Sequence, residues 1–260
     1  MRRSGALANG AVLLAGCLLA GCGGSGKPHR PASQGVGRTT GRAAIGTPSA
    51  RQPITVSRAR QLARQINLLP ADVHGYKVSS EGEHEHETAT QKRWERELVS
   101  CAAARRFPKH GRVEVSSPKF ERERGIESSS VQSNVTLAQS ATLARQELKA
   151  LKSSRGAACL SRFLRRLLES KTPPGATVGK VRVAQGAPPA RGTTGSFGLR
   201  ISSALNVNHV RVPVYFDFLG FADGPLEVLL QTTGLPSPFP SALEEHLYLL
   251  LLNRAKAHMR

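Results

Sequence analysis

Five segments of the chain repeat apolar residues at helical spacing. In the first, Ala59, Leu62, Ala63, Ile66 and Leu69 share one face, with Ser57 as the expected N-cap and Pro70 as the stop. The second covers 90–105 and aligns Trp94, Leu98, Cys101 and Ala102. A third, over 140–152, carries Leu143, Glu147, Leu148 and Leu151. The fourth, over 157–170, carries Leu160, Phe163, Leu164, Leu167 and Leu168, and Gly156 separates it from the third. The last begins at Ser241, with Glu244 placed for a capping box and Leu243, Leu247, Leu250, Leu251 and Ala255 on one face. Leu249 and Leu252 widen that stripe, which predicts a deeply packed helix.

Between the helices the period shortens to two. Residues 112–120 alternate through Val113 and Val115 and read as a strand. Residues 127–138 alternate less cleanly, through Val131, Asn134, Val135 and Leu137. The charged run Glu121-Arg122-Glu123-Arg124-Gly125 is the expected turn between these two strands. Strand-like runs follow at 178–184, 194–207, 210–219 and 226–232, and Ala222-Asp223-Gly224 is a hairpin turn by composition. Sequential strands with short connections predict an α+β domain: an antiparallel sheet of about five to six strands packed with helices, over 54–260. No internal repeat interrupts it.

The first 53 residues have a different pattern. Met1-Arg2-Arg3 is basic, residues 6–19 are mostly apolar, and Leu18-Leu19-Ala20-Gly21-Cys22 closes the stretch. This layout resembles a bacterial lipoprotein signal, which implies removal of residues 1–21 and diacylglycerol on the Cys22 thiol. An ordinary secretory signal shares part of the pattern. The same motif also occurs at Leu13-Leu14-Ala15-Gly16-Cys17, but cleavage there would leave a very short apolar segment and expose Leu18 and Leu19. The stretch is shorter than the roughly 20 apolar residues a transmembrane helix needs. Residues 22–53 would then be the lipidated cysteine and a tether. They are rich in Gly, Ser, Thr and Pro, carry Lys27, Arg30, Arg38, Arg42 and Arg51 without an acid, and are expected to be disordered. The expected location is the extracytoplasmic face of the cell membrane.

Charge and cysteines sharpen this picture. The whole chain has 37 basic residues against 18 acids, a formal charge of +19; losing Arg2 and Arg3 with residues 1–21 leaves +17. Such a balance raises nucleic acid as a partner, but the expected compartment argues against it. Phospholipid headgroups and acidic envelope components are the available anions, and the charge reads first as a solvated basic surface, with adhesion to such anions a secondary effect. Cys101 and Cys159 are the two cysteines beyond residue 53. Two thiols in an oxidising compartment predict a disulfide, the alternative being two buried free thiols.

The order of elements resembles the exported sensor-type domains of actinobacterial lipoproteins and the outer domain of some receptor serine/threonine kinases. It is also similar in plan to PsbP-like α/β/α sandwiches. The residues carrying the resemblance are Ser130-Val131-Gln132-Ser133-Asn134-Val135, the Ala-rich helix after it, Cys159-Leu160, and the run from Val214 through Phe221. The kinase sensor domains usually hold two disulfides, whereas this domain has cysteines for one. The resemblance implies a sensing or binding domain and supplies no catalytic residues.

Candidate chemistry is sparse. His84 and His86 alternate within Glu81-Gly82-Glu83-His84-Glu85-His86-Glu87, and on a strand they would share a face as weak metal-ligand candidates, with His74 and His110 available only through the fold. A solvated charged loop explains the same residues. No Gly-x-Ser-x-Gly elbow occurs. Asp217, between Phe216 and Phe218, is expected on the solvent side or in a cleft. Asn134-Val135-Thr136 spells a sequon inside a strand and is discounted. Tyr76, Trp94 and Arg211 are read as core or surface. No cofactor is expected, and the reading is non-enzymatic. Three function classes follow: a binding or sensing domain for a small or lipidic ligand, a protein-interaction or envelope-assembly factor, and a hydrolase with an unrecognised site. The first is the expectation.

Overall fold

The computed structural model describes residues 55–79, 90, 93–94, 97–98, 101, 112–172 and 174–259. A nine-stranded, wholly antiparallel sheet runs through the middle. Its centre is four long strands in the order β4 (Glu127–Leu137), β9 (Leu226–Leu235), β8 (Val210–Asp223) and β7 (Gly195–Val207). The outer side of β4 is tiled by β2 (Val113–Ser116) and β3 (Phe120–Arg124), and β3 also pairs with β1 (Lys77–Val78). The outer side of β7 is tiled in the same way by β5 (Thr177–Val178) and β6 (Arg182–Gly186).

The strand count exceeds five to six because two expected strands, 112–120 and 178–184, are each interrupted and because Lys77–Val78 adds the short strand β1. Pro118 lacks the N–H that a ladder needs, so 112–120 splits: β2 pairs with the second half of β4 and β3 with the first half. The charged run Glu121 to Arg124 is therefore strand, not turn. The turn proper is at Gly125, whose φ of +62° suits glycine.

Helices cover both faces. On one lie α1 (Val56–Ile66) and α4 (Ser241–Met259), packed on Val131, Val135, Leu226, Val228 and Leu230. On the other lie α2 (Ala141–Leu151) and α3 (Ser154–Lys171), packed on Phe197, Leu199, Ile201, Phe216 and Phe218. Thr90, Arg93, Trp94, Glu97, Leu98 and Cys101 have helical backbone, and Trp94 and Leu98 join this second core. Cys101 and Cys159 form the expected disulfide and fasten that helical segment to α3. Among the described residues no helix is long and apolar enough to cross a membrane.

Local chemistry sets the helix ends. Thr55, not Ser57, caps α1, its hydroxyl accepting from the Arg58 N–H at 3.3 Å. Ser140 and Ser153 cap α2 and α3 in the same manner. The fourth expected helix starts three residues early, at Ser154, and contains Gly156. A Cβ on Gly156 would stand 2.3 Å from the Ala150 carbonyl oxygen, so glycine is what lets α3 begin against the end of α2. In α4 the buried stripe includes Tyr248, while Leu249 is 41% exposed. Glu244 does not close a capping box; its carboxylate accepts from the Thr232 hydroxyl at 2.6 Å, across to β9.

Candidate functional site

The sheet face under α2 and α3 is divided lengthwise into a polar and an apolar half. On β4, Ser128, Ser130, Gln132, Asn134 and Thr136 point to this face, because alternate residues of a strand share a side. Their cross-strand partners extend the division. Ser130 stands beside Glu121 on β3 and Thr233 on β9, and Thr233 beside Phe216 on β8. Gln132 stands beside Gln231, and Gln231 beside Phe218. Thr136 lies between Glu114 on β2 and Glu227 on β9. Each row thus begins polar at the β2/β3 side and turns apolar at β8 and β7, where Phe218 meets Leu199 and Phe216 meets Ile201.

Most of this polar half is shielded from water. Ser128, Ser130, Asn134, Thr136, Gln231 and Thr233 are all buried. Buried polar atoms normally find partners, and Asn134 does: its amide nitrogen donates to Glu114 Oε1 at 2.7 Å and its oxygen accepts from the Ser116 hydroxyl at 3.3 Å. Gln231 does not, and neither does the Nε of Arg112 on the same face. Gln231 is 3% exposed, and its side-chain oxygen accepts no hydrogen bond.

At the β2 end, acids gather around one guanidinium. Arg112 Nη1 donates to both oxygens of Glu147 on α2, at 2.9 and 2.8 Å, and Nη2 donates to Glu227 Oε2 at 3.0 Å. Glu114 adds a third carboxylate. Burial pushes Glu227 up to about 9; the neighbouring Glu147 charge adds to the effect and Arg112 opposes it. Burial likewise raises Glu114, against the pull of Arg112 and the Asn134 amide. One guanidinium cannot balance three carboxylates, so a proton is retained in the cluster at neutral pH. Beside it, Asn134, Thr136, Leu148, Leu151 and Glu227 line a cavity of about 20 Å³, room for about one water molecule.

The other face carries a separate polar group. Arg200 on β7 grips Asp217 through Nε and Nη2, at 2.7 and 2.9 Å, and lies 3.6 Å from Glu244. Asp217 does face away from Phe216 and Phe218, but it is 2% exposed, neither on the solvent side nor in a cleft. Its partner is the reason: a bidentate guanidinium satisfies a carboxylate beneath α4. Arg254 on α4 similarly holds Asp72 through two hydrogen bonds, at 2.7 and 2.8 Å.

The expected site residues are distributed unevenly. Cys22, His84, His86 and His110 lie outside the described residues, and His74 is exposed. Tyr76 is half-buried, its ring under the Arg122 guanidinium at 4.8 Å and its hydroxyl 3.0 Å from that of Ser129. Asn134 points to the buried side of β4. Among the described residues no group of three or more His, Cys, Asp or Glu has metal-site geometry. Arg112, Glu114, Glu227 and Gln231 are not singled out by the sequence, and Glu147 is named there only among the inward positions of its helix. The available signal was five polar residues at alternate positions from Ser128 to Thr136 in an otherwise strand-like run.

No family model matches the chain, and no match to a curated protein or to a solved structure was found.

Proposed function

We propose that this chain is a non-catalytic binding domain, exported and held at the cell membrane through a lipid on Cys22. In this reading its ligand is a small polar molecule seated on the polar half of the sheet. The observation that carries the reading is Gln231, an acceptor buried at 3% exposure and left without a donor. Leaving such a group unmade costs about 1–3 kcal/mol, and a leucine of similar size would have avoided the cost. The rows of serine, threonine, asparagine and glutamine around it supply further donors and acceptors. Binding sites place a few convergent polar groups beside apolar ones, and Phe218 beside Gln231 and Phe216 beside Thr233 supply the apolar neighbours. A hydrogen-bonding ligand fits this floor better than a purely lipidic one. The buried acids support binding over catalysis, because Arg112 and Asn134 already engage them.

The test is native mass spectrometry of the full chain, purified from an exported expression system in mild detergent, beside its Gln231→Leu variant. The expected result is a co-purified polar molecule on the parent and its loss from the variant, with unchanged circular dichroism. A bare parent, or a ligand retained by Gln231→Leu, overturns the reading. A peptide beginning at acylated Cys22 is expected in the same sample.

A further inference from the structure

We propose that the outward face of α1 docks against anionic phospholipid headgroups. Helical geometry places Ala59, Leu62, Ala63 and Ile66 inward, which sends Arg64 along the outward line and Arg58 and Arg60 to its two sides. All three arginines are exposed, and α1 has no acid. Among the described residues the Arg58 guanidinium hydrogen-bonds only to Gln61, and no carboxylate pairs with any of the three. A helix lying on a surface would lower long arginine stems on both sides, with guanidinium groups suited to phosphate.

The occupant follows from charge and chain order. Residues 23–54, which enter the fold directly at the Thr55 cap, add five basic residues and no acid. Where Cys22 is acylated, α1 is the first described element along the chain from the anchor. Beside it, α4 presents Leu249, 41% exposed, and Glu245 as an exposed acid. The arginines of α3 are in a different state. Arg155 and Arg162 donate to Cys101, Arg165 pairs with Glu169, and Arg166 pairs with Glu97. Arg145 and Lys149 on α2 and Lys152 at its C-cap pair with no carboxylate among the described residues, but they lie on the opposite side of the sheet and serve as the matched control.

The experiment uses the full chain with Cys22→Ser, so that acyl insertion does not contribute. Co-sedimentation is compared on phosphatidylcholine vesicles with and without phosphatidylglycerol. Three variants are compared: parent, Arg58→Gln/Arg60→Gln/Arg64→Gln, and Arg145→Gln/Lys149→Gln/Lys152→Gln. All substituted positions are exposed, and circular dichroism checks each fold. The expected result is binding only to the anionic vesicles. The α1 triple should weaken it on the order of 100-fold, from the usual contribution of each near-surface cation, and the α2 triple far less. Equal loss in both triples would reduce the effect to net charge and overturn the proposal. Equal binding to both vesicle types, or none, also overturns it.

Discussion

Glu147 on α2 and Glu227 on β9 bind the same guanidinium, that of Arg112, so a helix and a central strand are joined through a pair of acids that share one cation. Two carboxylates this close, with Glu114 nearby, hold a proton that the unfolded chain would release.

Stability should therefore fall with rising pH. The Glu227 value is raised from an ordinary 4.5 to about 9, so between these limits the folded chain binds a proton that the unfolded chain does not. The contribution is complete below about 4.5 and is lost as the pH rises through about 9. The slope approaches one proton, about 1.4 kcal/mol per pH unit. Urea unfolding of the parent and of Glu227→Gln across this window should show the slope flattened in the variant. An unchanged slope would place the proton elsewhere.

The disulfide should matter in proportion to the loop it closes. Cys101 and Cys159 are 58 residues apart, which corresponds to about 4 kcal/mol in the chain-entropy account. A Cys101→Ser/Cys159→Ser chain is expected to unfold at a clearly lower denaturant midpoint. An unshifted midpoint would show that the helical segment carrying Trp94 and Leu98 docks without the covalent link.

Gly234 should be intolerant of any side chain. The loop after β9 folds back over it, and a Cβ there would meet Ser237 O at 2.3 Å and Phe239 N at 2.7 Å. Gly234→Ala must displace backbone, including Phe239, which is buried against Tyr76. A loss of about 1–3 kcal/mol is expected, as for other overpacked sites. Gly186→Ala, with nothing within 4 Å, is the neutral comparison. Thermal unfolding of both variants separates the two cases.

How legible this fold was depended on how local each signal is. The apolar faces of α1 to α4 are readable because the helical period lies within a few residues; the caps are less so, Thr55 replacing Ser57, Glu244 closing no capping box, and Leu69 lying exposed beyond α1. Long strands such as β7 and β8 were readable for the same reason. Pro118 misled the strand count, since two strands tiling one edge of β4 is a tertiary arrangement with no local signature. Asp217 was assigned its side of the strand correctly and its surroundings wrongly, because Arg200 is 17 residues away. The polar half of the sheet is written in the sequence from Ser128 to Thr136, but the interleaved Val131, Val135 and Leu137 carry the stronger strand signal there. The Arg112 cluster was not readable at all, since its acids come from β2, α2 and β9 and meet only in space.

The tiling of the sheet's margins has a bearing on crowding. Among the described residues the marginal strands are brief: β1 and β5 are two residues each, β2 is four, and β3 and β6 are five. Each of the four long strands has a neighbour on both sides, though the Val210–Val214 stretch of β8 pairs with β7 alone. Open ladders are templates for edge-to-edge polymerisation, and short margins carrying Lys77 and Arg182 offer little to template. If the chain is anchored through Cys22 as proposed, its copies would be concentrated in two dimensions, where such blunt margins matter most.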